Sequence, residues 1–262
     1  MPAYDVMIQA APKDYHKVPL AVNSLRWLYP QPNGIYIISP DGYMPSGTDY
    51  DDRLIQATDA EVMPGCDRSK LKYRPNWCFQ SLMKLVQDVT AQDWYLSVDA
   101  DNFYVKPLSL FSAGGKGRFF MSPQHVGYHE PYWRFSRKVF GLERVAPGRL
   151  TIDFMLYNKR LTREMFAGYE SLGALFKRYC EIVDRECYLN EQDQYANWCL
   201  RYYPEAYELM TGVPVRLYGK EYPDQWTVED IQAVLGDPHK VGDAVAVTCH
   251  TWDGDWWERQ SQ

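Results

Sequence analysis

Trp94-Tyr-Leu-Ser-Val-Asp99-Ala-Asp101-Asn-Phe-Tyr-Val-Lys106-Pro107-Leu108 is an apolar run that ends in two carboxylates one residue apart. The run predicts a buried strand, and the two acids fall where that strand leaves the core. Hard divalent cations take oxygen ligands, and Mg²⁺ or Mn²⁺ completes its shell with substrate phosphates and water. Two carboxylates at a strand end therefore suit a cation held against a phosphorylated ligand. The plain alternative for so short a pattern is a solvated turn. The buried strand before the acids and the extended 102–108 segment after them favour the ligand reading.

Outward from this strand, the N-terminal half alternates strand and helix. Tyr4–Gln9 is a short apolar run, Val18, Val22, Leu25 and Leu28 recur at helical spacing, and Ile35–Ser39 is a β-branched run closed by Pro40-Asp41-Gly42. Residues 60–64 form a weaker strand candidate. A helix is expected from Pro75, a residue suited to a first turn, with Leu82, Leu85, Val86 and Val89 on its buried face. Alternation of this kind predicts an α/β fold with a mostly parallel central sheet flanked by helices, in which ligands gather beyond the carboxyl ends of the strands. Asp99 and Asp101 fall at such an end.

The C-terminal half is less regular. Strands are expected over 118–122, 151–157 and 244–249, the last ending at His250, and helices over 162–185 and Glu191–Tyr202. Thr227 and Asp230 have the spacing of a capping box that opens a helix reaching Leu235. No repeat or linker divides the chain, so the expectation is one domain over 1–262 with two lobes, about 1–112 and 113–262.

Composition narrows the function. A formal net charge of −6 argues against a nucleic-acid partner, because affinity for a phosphate backbone depends on concentrated Lys and Arg. No apolar stretch is long enough for a membrane span, and residues 1–10 lack the basic-then-apolar pattern of a secretory signal, so a soluble, cytoplasmic protein is expected. The six cysteines, scattered without a CxxC pair, are expected as reduced core thiols. Aromatic residues make up 15% of the chain, some of them in polar stretches such as 128–133 and 252–257, which fits stacking on sugar rings and a large core alike. Neither GxGxxG nor GxxxxGK[ST] occurs, against a dinucleotide-binding dehydrogenase or a P-loop enzyme.

Asp99-Ala-Asp101 with its flanks resembles the DxD motif of GT-A type glycosyltransferases, and the chain is similar to bacterial and viral glycosyltransferase-like families. The similarity runs through Tyr4-Asp-Val-Met-Ile, Ile35-Tyr-Ile-Ile-Ser, Arg74-Pro-Asn-Trp77-Cys-Phe-Gln80-Ser-Leu-Met-Lys84-Leu and Asn190-Glu-Gln-Asp-Gln-Tyr-Ala-Asn197. The resemblance implies a GT-A-like fold and transfer of a sugar from a nucleoside diphosphate sugar, UDP favoured, to a carbohydrate or other hydroxyl acceptor. It also implies a divalent cation, Mn²⁺ favoured over Mg²⁺. By it, Asp101 ligates the metal directly, Asp99 reaches either the metal or the donor's ribose or sugar, and His250, after a late strand, is the third ligand. A surface histidine is the alternative reading of His250.

Further residues follow from that expectation. The first loop, Ala10-Ala-Pro-Lys13-Asp14, stands where GT-A proteins hold the nucleotide base, although Asp14 would equally cap the next helix. Gln80 and Lys84 share a helix face with Arg74 just before its first turn, a stripe suited to donor phosphates or sugar hydroxyls, or else simply exposed. Glu191, Asp193 and Asp153 are the candidates for a carboxylate that takes the acceptor's proton or stabilises the sugar, and the helix dipole alone would also favour an acid at Glu191. His125, His129 and Glu130 lie in the aromatic stretch 123–133, a candidate acceptor wall outside the catalytic set. Two other functions remain open: a carbohydrate- or sugar-nucleotide-binding protein without turnover, and a metal-dependent nucleotidyltransferase, which usually has a Gly-rich basic segment that 9–13 does not supply.

Overall fold

A computed structural model describes residues 1–121, 129–148, 150, 153–213, 215–221 and 225–252. The first strands form as the apolar runs dictate: β1 (Tyr4–Gln9) and β2 (Ile35–Ser39) are wholly buried and parallel, and helix α1 (Val18–Ser24) crosses between them. β3 (Leu54–Thr58) adds to β2, and β4 (Trp94–Asp99) adds to the other side of β1, both parallel. β7 (Phe154–Asn158) closes the edge antiparallel to β4, giving the order β3-β2-β1-β4-β7. A sheet covered on both faces selects continuous apolar strands rather than an apolar-polar alternation, which is why these runs stand out in the sequence.

Side chains alternate across the sheet with the strand period of two. Met7, Ile38, Tyr95 and Tyr157 enter one buried layer with α2 (Pro75–Val86), α4 (Lys159–Met165), α5 (Leu172–Ile182) and α6 (Glu191–Tyr202). Val6, Ile8, Ile37, Leu96 and Phe154 enter the other with α1. Helix α3 (Glu130–Phe140) packs Tyr132 and Phe135 into the first layer. A second sheet, β9-β10-β5, joins β5 (Asn102–Tyr104) to β9 (Val215–Glu221) and β10 (Ala246–Trp252), with α7 (Val228–Leu235) beside it. β6 (Gly117–Met121) pairs in parallel with β8 (Tyr207–Thr211). The five-stranded and the three-stranded sheets thus each draw strands from both halves of the chain.

The expected mostly parallel α/β architecture is present, with corrections at several elements. Residues 60–64 are not a strand. Thr58 and Glu61 form a reciprocal capping box that opens a helical turn over Asp59–Val62, and the strand is the preceding Leu54–Thr58. The helix expected over 162–185 is two helices, because Asn158 caps Lys159–Met165 and Ser171 separately caps Leu172–Ile182. The strand expected over 151–157 begins at Phe154, and Thr151 and Ile152 lie outside the described residues. So do Ser122, His125 and 253–257, and with them parts of the expected 118–122 strand and of the aromatic stretches. The last strand continues to Trp252, so His250 lies within it, opposite Gly219, rather than after it.

The expected capping box of Thr227 and Asp230 forms in full, and all six cysteines are free thiols, four of them buried. Among the described residues no helix is long and apolar enough to cross a membrane.

Gly117 admits the rings that close the far edge of the core. A Cβ there would lie 2.8 Å from both Trp94 and Tyr207, whose rings meet edge-on at 5.4 Å. Because both rings are held in a packed core, Gly117→Ala should destabilise the protein by about 1–3 kcal/mol, read as a lower urea midpoint with an unchanged slope.

Candidate functional site

The carboxyl ends of β1 and β4 lie side by side, with Gln9 opposite Asp99. Backbone hydrogen bonds bring two further elements to this corner. Asp99 N–H donates to the Asp153 carbonyl at 3.2 Å, and Cys249 N–H donates to the Asp101 carbonyl at 2.9 Å. Asp99 and Asp101 on one turn, Asp153 at the entrance to β7, and His250 in β10 therefore converge although they come from three places in the chain. Asp153 has a left-handed backbone with φ of 64°, a conformation that costs a non-glycine residue energy and is retained where surrounding structure imposes it.

His250 joins two of the acids. Its Nδ1 is 3.0 Å from Asp101 Oδ2 and its Nε2 is 3.4 Å from Asp153 Oδ2. Burial opposes the imidazolium, but the two carboxylates outweigh it and raise the His250 pKa well above the usual value. Burial likewise pushes the Asp101 carboxyl up, and the adjoining His250, with Lys17 nearby, outweighs it and holds it below the usual range.

A second bridge stands beside the first. Lys84 Nζ, from α2, is 2.7 Å from Asp99 Oδ1 and 2.9 Å from Glu191 Oε1 at the start of α6. The ammonium is buried, and the two carboxylates overcome the cost of burial and raise its pKa above the ordinary lysine value. Asp99 keeps about a third of its side chain open, at 32%. Its pKa is raised to about 6 by burial, with Lys84 pulling down and Asp153 and Asp101 pushing up.

Several polar atoms around the corner are buried without a hydrogen-bond partner among the described residues: Gln9 Oε1, Asn102 Oδ1 and Glu191 Oε2. Unpaired buried acceptors are costly, and they are where a ligand's hydroxyl, N–H or cation would be accommodated. By donor chemistry the corner fits a hard divalent cation, since three carboxylates and an imidazole meet there. Among the described residues, however, no group of three or more His, Cys, Asp and Glu side chains is arranged to hold a metal ion. His250 stands between two of the acids, and Lys84 beside the third.

The remaining expected residues divide. Ala10 is buried at the end of β1 and donates its N–H to the Ile38 carbonyl. Lys13 is exposed. Asp14 does not cap a helix; it pairs at 2.8 Å with Lys17, a buried lysine that sequence reasoning passed over. The signal was the i,i+3 spacing of Asp14 and Lys17 within the turn Pro12–Lys17, which faces Lys17 inward and leaves Lys13 outside. Gln80 contributes its backbone carbonyl, which accepts from Gln9 Nε2 at 3.3 Å. Asp193 Oδ1 accepts from Leu150 N–H at 2.5 Å, which ties α6 to the segment before β7. Arg74 is not at the corner with Lys84: it caps the start of α2, ten positions before Lys84, about 15 Å along the helix axis.

The fold and this corner define an α/β protein with an acidic, internally bridged cluster at the carboxyl end of a mostly parallel sheet. Residues 36–172 match the family described as a family of unknown function (DUF6492), and the chain belongs to that family. No curated protein matches the chain. The matched segment contains Arg74, Gln80, Lys84, Asp99, Asp101 and Asp153, whereas Gln9, Lys17, Glu191 and His250 reach the corner from outside it.

The raised His250 pKa has a defined consequence for the metal-free protein. A histidine whose pKa rises on folding contributes stability in full below its unfolded value of about 6.5, and that contribution disappears as pH climbs through the folded value. The loss of thermal stability in His250→Gln, measured with a chelator present, should therefore be larger at about pH 6 than at about pH 9. A deficit independent of pH would show that the bridge to Asp101 and Asp153 carries no net charge.

Proposed function

We propose that this protein is a metal-dependent glycosyltransferase of GT-A type that takes its sugar from a nucleoside diphosphate sugar, UDP favoured. The observation that carries the reading is the convergence of Asp99, Asp101, Asp153 and His250 at the carboxyl end of the parallel strands, facing the Lys84–Glu191 pair. Open α/β sheets bind ligands at such ends.

In this reading Asp101 and His250 hold Mn²⁺, with Asp99 as a further ligand or as acceptor for the donor's ribose. A bound divalent cation would offset the diphosphate charge and assist its departure as a Lewis acid. His250 must give up one of its two carboxylate contacts to present a ring nitrogen. In the same reading Lys17, buried next to Asp101, would meet the diphosphate, a role the exposed Lys13 would not share. Ala10 and Asp14 border the base. Lys84 fixes Glu191 in one orientation, and the unpartnered Oε2 of Glu191 is the acceptor offered to a hydroxyl of the donor or acceptor sugar. Asp193 holds the segment before β7 rather than a proton in transit, which leaves Glu191 and Asp153 as the carboxylates nearest the chemistry.

Titration with UDP by calorimetry, with and without Mn²⁺, tests the reading. Wild type should bind UDP at least about tenfold more tightly with Mn²⁺, and Asp101→Asn, which keeps the side chain's shape, should lose that difference, about 1.4 kcal/mol or more. Equal affinity in the two proteins removes Asp101 from the ligand set. Metal-dependent binding without hydrolysis or transfer on a broad acceptor panel would instead indicate a sugar-nucleotide-binding protein on the same fold.

A further inference from the structure

The face of α2 that carries Lys84 at the corner continues through Gln80 and Trp77 to Arg74, residues three or four apart and so stacked one above another. Beyond Gln80 this stripe becomes aromatic. Trp77 meets Tyr188 edge-on at 5.6 Å, Tyr73 lies 5.0 Å from Tyr188, and Tyr132 packs against both Trp77 and Tyr188. His129 Nε2 is 2.7 Å from the Tyr188 hydroxyl. The wall is built into the same element as the candidate chemistry: Tyr188 is three residues before Glu191, and Gln194 of α6 donates to the Tyr132 carbonyl. The Cys78 thiol beneath it, pushed up to about 12 mainly by burial, also feels both the Arg74 guanidinium and the Glu191 carboxylate.

Arg74 crowns this wall. Its guanidinium carbon lies 4.8 Å from the centre of the Trp77 ring, and no carboxylate or side-chain hydrogen-bond partner holds it among the described residues. The Trp77 indole N–H and the Gln80 side-chain amide also donate to nothing among them. Arg74, Trp77 and Gln80 are all partly exposed, so the stripe is reachable. A chain of net charge −6 that leaves an arginine unpaired on an aromatic surface offers a site for an anion joined to an apolar ring face.

We infer that this wall is a subsite for an acidic saccharide, whose ring packs against the exposed part of Trp77 beside the guanidinium and whose carboxylate or phosphate group is bound by Arg74. As the acceptor subsite it rests on the glycosyl-transfer reading; as a binding site for acidic sugars it does not. Stacking supplies attraction common to all sugars, and the guanidinium supplies discrimination against neutral ones.

The test is saturation-transfer NMR on the full chain, without nucleotide or metal, using glucose, glucuronic acid and glucose 6-phosphate as probes. At least one charged probe should bind about tenfold more tightly than glucose, and the better of the two identifies carboxylate or phosphate as the preferred anion. Asparagine tolerates the left-handed backbone that Arg74 adopts, φ 40°, so Arg74→Asn should fold normally and bind all three probes equally. Arg74→Lys should keep part of the preference, and Trp77→Ala should weaken all three probes. Equal binding of charged and neutral sugars by wild type, or a preference that survives Arg74→Asn, overturns the inference. UDP affinity measured separately with Mn²⁺ keeps the two proposals apart: acidic-sugar binding without nucleotide binding would sink the transferase reading and leave this site standing, and the reverse result would do the opposite.

Discussion

One buried ammonium ties the corner together. Lys84 projects from a helix into a space where Asp99, at a strand end, and Glu191, at a helix start, would otherwise repel each other. Neither acid could be buried alone without a large desolvation cost, and neither could approach the other without a shared counter-charge. The lysine therefore sets where α6 begins relative to β4. Because α6 also carries Asp193, Gln194 and Asn197, that placement fixes the loop before β7 and the aromatic wall around Tyr132.

His250 solves the same problem on the other side. Asp101 and Asp153 are mostly buried, and the imidazole between them supplies the positive charge that lets both remain there. The corner is thus an array of acids neutralised by side chains of this chain. Any cation that enters must compete with His250, and removal of a proton from the imidazole would accompany its use as a ligand. Burial raises both Asp99 and Asp101; they differ because His250 and Lys17 outweigh it at Asp101, while at Asp99 the pull of Lys84 is opposed by Asp153 and Asp101.

What could be read from the sequence follows this physics. β1, β2 and β4 were legible because a doubly covered sheet writes continuous apolar runs, and Asp99 and Asp101 stood out as acids ending such a run. Lys84 was legible from its helix face, but its pairing with Glu191, 107 residues away, was not, since no local pattern encodes a tertiary ion pair. Lys17 was missed in favour of Lys13 because the phase of a short 3₁₀ turn decides which lysine faces inward. Asp153 was read as a strand residue, whereas its left-handed backbone turns it toward His250 before the strand begins. The long helix expected over 162–185 failed because the first helix stops at Met165 and Ser171 caps a separate one over Leu172–Ile182.

Arg74 is the residue whose meaning changed most. Sequence spacing grouped it with Lys84 as one basic stripe, and on the helix surface that grouping holds. The two cations nevertheless serve different surroundings: Lys84 is buried between carboxylates, and Arg74 stands partly exposed on Trp77 with no carboxylate partner among the described residues. A buried lysine with two anions is spent on holding the protein together. A partly exposed arginine with none among the described residues is available to something else, and the aromatic residues beside it restrict what that can be. Charge alone would admit any anion, and rings alone would admit any sugar or apolar group. Their coincidence on one helix face, continuous with the acidic corner, is what separates a recognition surface from the scattered tyrosines and tryptophans that a core of this size contains in any case.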